Sequence, residues 1–348
     1  MSASIDQSYI SELAKTILTI HSPSGFCHHV MQRIEQECQR YSGTFHKDRK
    51  GNGIFSIEGK DSSRTIGLGV HVDTLGAMVR SIDKEGRILF TPIGGILWPT
   101  ADGEYCTIIT RNGQSYSGTF LSKSPAAHVY SDAKSRPRSA DEMYVRLDAI
   151  ADNADQVAKL GIRTGDYICL DTKTQILENG FIKSRFLDDK INVSSLFGLL
   201  DYMKNEQVIP QYNLKLFFST YEEVGHGAAC IPDEIDEFIA VDMGCIGEDL
   251  NCNERQVSIC AKDSSGPYDY HMVSHLIKLS EQNKLDYAVD IYPFYSSDGT
   301  AALHGGKDIR CALIGPGVHA SHGMERTHYL ALEQTIKLLA AYLQNPAD

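Results

Sequence analysis

Apolar residues recur at helical spacing from Ile5 to Thr19, through Ile10, Leu13, Ile17 and Leu18, and the run stops at the turn signal Ser22-Pro-Ser-Gly25. Val30 to Tyr41 predicts a second amphipathic helix. Strands are expected at Thr44–Asp48, Gly53–Glu58 and Thr65–Val70, so the chain opens as helix, helix and sheet, an α/β beginning. From Ala77 the texture changes to short alternating runs, Gly86–Phe90, Cys106–Thr110 and Ser117–Leu121, with turns at Gly94-Gly95 and Arg111-Asn-Gly113. That spacing predicts a small all-β, barrel-like unit inserted over residues 77–169. Residues 1–76 and 170–348 then form the main domain. Its second part reads as an apolar helix over Ile191–Lys204, strands at Tyr212–Phe218 and Glu237–Asp242, and a helix at His271–Ser280. Strands at Leu285–Tyr292 and Asp308–Ile314 follow, with a closing helix over Met324–Leu343.

Composition narrows the class. The 348 residues are 42% hydrophobic and 22% charged, an ordinary globular balance with length for a sizeable core. A net charge of -12 argues against nucleic acid and anionic membranes as partners, both of which need clustered Lys and Arg. No apolar run approaches the roughly 18 residues of a span, and the N-terminal stretch is polar, so a cytoplasmic protein is expected. Nine cysteines without a CxxC pair fit reduced thiols rather than a disulfide framework.

Chemistry gathers where strands end. In Thr220-Tyr-Glu-Glu-Val-Gly-His-Gly-Ala228, Glu222 and Glu223 follow a buried strand and precede two turn glycines, the place where open α/β sheets bind ligands. Adjacent side chains diverge, so one carboxylate can bind a metal while the other reaches its water. Alone, the pair could equally be a solvated strand end. His71 and Asp73 in Gly69-Val-His-Val-Asp73 are expected on one strand face, an imidazole with an orienting carboxylate. Asp188 and Asp189 stand at a helix start, where acids are also common caps. Asp242 follows an apolar strand, where turn initiation is the alternative. His319, His322 and His328 cluster near the last predicted helix, and at most one needs to be a ligand. Mixed nitrogen and oxygen donors suit zinc or cobalt, and two ions about 3.5 Å apart need a bridging carboxylate.

This order of HxD, DD, EE, D and H, with the segments HVDTLGAMV and TYEEVGHGA, resembles the tetrahedral aminopeptidases, the glutamyl and deblocking aminopeptidases. Ser22-Pro-Ser-Gly25, Gly51-Asn-Gly53, Ile93-Gly-Gly95 and Leu160–Asp166 extend the resemblance over nearly the whole chain. It implies a mixed-sheet, phosphorylase/hydrolase-like di-metal peptidase domain carrying an inserted β-barrel for oligomerisation and substrate access. It also implies one ion on His71, Asp188 and Asp242 and a second on Asp188, Glu223 and His322, with Asp188 bridging, Glu222 as general base and Asp73 orienting His71. Two divalent cations per subunit are implied, zinc or cobalt, with manganese also able to use these ligands. The implied activity is hydrolysis of N-terminal residues from short peptides by a two-metal-activated hydroxide, in a homo-oligomer that the family builds as a tetrahedral dodecamer. Two segments depart from the family. Pro316-Gly-Val-His319-Ala-Ser-His322 replaces its Arg-Tyr-X-His-Ser, leaving His319 in competition with His322, and Ser296-Ser-Asp-Gly-Thr300 replaces its Gly-Thr-Asp-Ala. A di-metal carboxypeptidase or deacylase, or a non-catalytic oligomeric scaffold, are the alternative readings.

Overall fold

The computed structural model describes residues 5–347. They fall into two compact units, one holding the chain up to Asp73 and from Lys173 onward, the other spanning Thr74–Thr172. The first is built on a mixed sheet ordered Thr44–Lys47, Gly53–Ile57, Tyr212–Ser219, Asp61–His71, Glu237–Val241, Arg310–Val318, Val257–Lys262 and Tyr287–Ile291. The middle strands Tyr212–Ser219, Asp61–His71, Glu237–Val241 and Arg310–Val318 run parallel. Their C-terminal ends therefore open on one edge of the sheet, and in that register Ser219 pairs with His71.

Alternation along Asp61–His71 explains why this strand can sit in the middle. Ile66, Leu68 and Val70 pack into the larger core with helices Gln7–Thr19, Leu187–Asn205 and Tyr329–Gln344. Gly67 and Gly69 face the other way, and a Cβ on Gly69 would lie 2.3 Å from the Phe238 ring. The glycines thus make room for a neighbouring aromatic in the second core, which holds Phe217, Phe238, Tyr292 and Leu313. Helix Leu187–Asn205 is buried without a break from Leu187 to Leu200, so it shows no amphipathic stripe. At the N-terminal end of strand Glu237–Val241, buried Glu237 accepts from the guanidinium groups of Arg64 and Arg310 and, at 2.7 Å, from the Tyr342 hydroxyl. A buried carboxylate needs such partners to remain charged.

The second unit is a closed barrel in the order Gly76–Ile82, Ile88–Ile93, Met143–Leu147, Ser115–Ser122, Tyr105–Ile109 and Tyr167–Leu170. Closure leaves no free edge among these strands. Phe90 and Phe120 meet edge to face at 5.1 Å inside it, and Trp98 lies 4.8 Å from Phe90.

The closing helix differs from its sequence pattern. Glu325–His328 is a strand paired with Phe181–Ser184, and the helix begins only at Tyr329. The sequence Met324–His328 carries a charged, capping-rich start that cannot be told from a first helical turn without its pairing partner. His328 ends as the N-cap, its Nδ1 accepting from the Leu330 N–H at 3.0 Å. No helix among the described residues is long and apolar enough to cross a membrane.

Candidate metal centre

Four chain segments converge at the C-terminal edge of the parallel strands. His71 is the last residue of its strand, and Glu222 and Glu223 lie in a short 3-10 turn just beyond Ser219. Asp242 directly follows strand Glu237–Val241, and Asp188 stands in the first turn of the buried helix. The close approach at Asp242 requires glycine on the next strand, since a Cβ on Gly315 would fall 1.4 Å from the Asp242 carbonyl oxygen.

The Asp188 carboxylate lies between two imidazoles. Its Oδ1 is 2.9 Å from His71 Nε2, and its Oδ2 is 3.5 Å from His322 Nε2. His322 Nε2 is also 3.7 Å from Glu223 Oε2, and His71 Nε2 is 3.7 Å from Glu222 Oε2. Donor atoms of His71, Asp188 and Glu223 lie within 4.8 Å of one another, as do those of His71, Asp189 and Asp242. Asp189 competes with Asp188 in proximity, but its oxygens are engaged by the His71 N–H at 3.0 Å and the Asn192 amide at 2.6 Å. The Asp188–Asp189 peptide is cis. His319 is exposed and its backbone pairs with Arg326, so of the two competing histidines only His322 joins the cluster.

Asp73 stands between His71 and the turn that carries the two glutamates. The strand ends at His71, two residues before it. The Asp73 peptide carbonyl, at 2.9 Å, meets His71 Nδ1, while its carboxylate is 3.6 Å away. That carboxylate instead accepts from the Glu222 and Glu223 N–H groups, at 3.1 and 3.2 Å, and from the Ser24 hydroxyl at 2.5 Å. Asp73 therefore fixes the backbone that carries both glutamates. Glu325 does the same for the other side, accepting from the Asp188 N–H at 3.0 Å and the His322 N–H at 2.9 Å. Nothing in the sequence pattern marked Glu325, which reads as the first turn of a helix.

Electrostatics show what this cluster lacks. Asp73, Asp188, Asp189, Glu222, Glu223, Asp242, Asp298 and Glu325 crowd around two imidazoles, and burial penalises every ionised carboxylate. Burial, then the Asp188 charge, pushes Asp242 up to about 7, and the same two causes push Glu325 up to about 8. Glu222 and Glu223 are raised well above the usual range, first by burial and then by neighbouring carboxylates. Burial works against a charged His71, yet its contact with Asp188 and the charges of Glu222 and Asp242 hold its pKa well above 6.5. Asp188 alone is lowered: burial opposes its charge, and the two imidazoles overcome it. Glu223 Oε1 is buried without a hydrogen-bond partner. Such a set of imidazole nitrogens and under-partnered carboxylates fits divalent cations.

A pH prediction follows for the chelated protein. The raised carboxylates keep protons in the folded state that the unfolded chain has released above about pH 4, so stability falls as pH rises. The raised His71 acts in the same direction, its contribution being lost as pH passes its folded value. Asp188 opposes this only below about pH 4. The thermal midpoint of chelated protein should therefore drop between about pH 5 and about pH 8, the range that Asp242 and Glu325 span. Scanning calorimetry showing a flat or rising midpoint would remove the uncompensated-carboxylate account.

Residues 51–338 match the profile of the M42 glutamyl aminopeptidases. The chain belongs to the M42 glutamyl aminopeptidase family. The YhfE protein of Bacillus subtilis (strain 168), itself named only provisionally as an aminopeptidase, is 42% identical over 336 residues, covering 96% of this chain and 97% of its own. Among solved structures, the TET aminopeptidase of Thaumarchaeota archaeon SCGC AB-539-E09 superposes with a TM-score of 0.88 at 20% identity, covering 98% of this chain and 97% of its own. The Pyrococcus horikoshii TET1 peptidase, which assembles into a tetrahedron or a large octahedral shell, gives 0.83 at 20% identity, with coverages of 97% and 99%. This M42 chain is a peptide hydrolase of a metal-dependent family, with a His, Asp and Glu cluster able to hold metal.

Proposed function

We propose that the protein is a two-metal aminopeptidase that removes N-terminal residues from short peptides. The observation that supports it most is the Asp188 carboxylate lying between His71 and His322, with Glu222 and Glu223 beside them. One divalent ion would be held by His71, Asp188 and Asp242, and the other by Asp188, Glu223 and His322. When bound, the ions supply Lewis-acid polarisation of the scissile carbonyl and acidify water. Glu222 accepts the proton of the attacking water and returns it to the leaving amine. Asp73 keeps Glu222 in place through its backbone N–H. We further assign the inserted barrel, residues 77–169 in the sequence, to homo-oligomer contacts and restricted access, by analogy with the TET1 peptidase shells. Zinc or cobalt suits the donor set best, and we place the protein in the cytoplasm.

The test is release of free amino acid from matched unblocked and N-acetylated short peptides, using chelated protein and protein reloaded with zinc, cobalt or manganese. Metal-restored cleavage confined to unblocked peptides is expected. Cleavage of the acetylated series, or silence from protein carrying two ions, would turn the assignment toward a deacylase or a binding role.

A further inference from the structure

The turn that carries Glu222 and Glu223 is closed on itself. The Glu222 carbonyl accepts from the Gly225 N–H at 2.7 Å, the Tyr221 carbonyl accepts from the His226 N–H at 3.1 Å, and the Tyr221 and His226 rings stack with centroids 4.9 Å apart. Both legs of the turn rest on one buried side chain. Asn52 Oδ1 accepts from the Thr220 N–H and hydroxyl, at 3.0 and 2.9 Å, and the Asn52 amide donates to the Gly227 carbonyl at 3.4 Å.

Just beyond the turn, the Gly227–Ala228 peptide is held on both of its polar edges. Its carbonyl accepts from Lys50 Nζ at 2.9 Å, and the same ammonium donates to the His226 carbonyl. Its N–H, on Ala228, donates to Oδ1 of the buried Asp298 at 2.8 Å. The Gly227–Ala228 bond is trans, and in a planar trans peptide the carbonyl and the N–H point in opposite directions. Lys50 and Asp298 therefore grip one rigid plane from opposite sides. An ammonium on the carbonyl and a carboxylate on the N–H are both stronger partners than neutral groups would be.

That plane packs against the Glu222 backbone. A Cβ on Gly227 would lie 2.5 Å from Asp298 Oδ1, 2.6 Å from the Ser219 hydroxyl oxygen and 2.9 Å from the Glu222 main-chain nitrogen. Any tilt of the peptide is thus felt at the nitrogen that Asp73 holds at 3.1 Å. The two gripping residues belong to neither leg of the turn, since Lys50 precedes strand Gly53–Ile57 and Asp298 opens helix Asp298–His304.

We propose that Lys50 and Asp298 are positioning residues for Glu222, acting together through the Gly227–Ala228 peptide. A misplacement of about 1 Å in a reacting group can cost about 10²-fold in rate, so such a grip serves the reaction as well as the fold. This rests on the aminopeptidase reading above, and the two fail separately. Wild-type protein that cleaves no unblocked peptide puts the activity at fault, whereas hydrogen exchange at the Ala228 amide reports on the grip without any substrate.

The experiment compares metal-loaded wild type with Lys50→Met, Asp298→Ala and the double variant. Each single substitution should lower kcat about 10 to 10²-fold, with KM changed by no more than about twofold and metal content at the wild-type value. Because both residues hold the same peptide, the double variant should lose little more than the worse single one, whereas independent sites would multiply their losses. Asp298→Asn, which still offers a carbonyl oxygen to the Ala228 N–H, should recover most of what Asp298→Ala loses. Residue-resolved hydrogen exchange should be faster at Ala228 in Lys50→Met than in wild type, with strand Tyr212–Ser219 unchanged. Lys50 is only half-buried, so Lys50→Met decides the matter even if Asp298→Ala does not fold. Wild-type kcat in Lys50→Met, multiplied losses in the double variant, an Asn variant as slow as the Ala one, an effect confined to KM, or unchanged exchange at Ala228 would each overturn the proposal.

Discussion

Glu222→Gln should lower kcat by about 10² to 10⁴-fold or more, the usual worth of a general acid-base group, while the protein keeps its full complement of metal. The substitution conserves volume and the backbone N–H held by Asp73 at 3.1 Å, so the 3-10 turn should survive. What is lost is the capacity to take a proton and give it back. Glu222 suits that task because burial, and then the charges of Asp242, Asp298 and Glu223, raise its proton affinity against the pull of His71. Its side chain remains 14% exposed, enough for water to reach it. Glu223, one residue on, lies 3.7 Å from His322, whereas Glu222 lies 3.7 Å from His71, so the two adjacent acids stand beside different imidazoles. Steady-state kinetics paired with metal analysis checks this, and near-normal turnover in a metal-replete Gln variant would take the base role from Glu222.

The second large effect belongs to Asp188. Replacing it by Ala should strip both ions, with a loss of affinity exceeding the roughly 10 to 100-fold that removal of a mere outer partner costs, and activity should vanish with them. The reason is its position, one oxygen 2.9 Å from His71 and the other 3.5 Å from His322. Removing it separates the halves of the cluster and leaves each imidazole short of a carboxylate. Glu223→Ala supplies the contrast, since it should weaken one ion and spare the other. Metal counted per chain in the two variants distinguishes them, and an Asp188→Ala protein that still carried two ions would end the bridging assignment.

Much of this arrangement was legible because strands write their ends plainly. The alternation of Tyr212–Ser219 and the glycines after Glu223 located the acid pair, and the Gly67 and Gly69 pattern that makes room for Phe238 also delivers His71 to the sheet edge. The closed barrel was visible as closely spaced short runs. What stayed hidden depends on contacts far apart in sequence. Glu325 supports Asp188 across 137 positions, and its strand forms only against Phe181–Ser184. The short helix Asp298–His304 did leave a trace, the reciprocal capping of Ser297 and Thr300, within a segment read only as a departure from its family.

The order in which the centre's residues leave the ribosome has its own consequence. A nascent chain presents His71 early, but His322 and the Glu325 that steadies it are translated only after Arg310–Val318, a strand flanked on both sides within the sheet. A chain interrupted before that point lacks the strand that joins Glu237–Val241 to Val257–Lys262, together with His322 and Glu325. The cluster around Asp188 is thus completed only late in biosynthesis, when His322 and Glu325 join it.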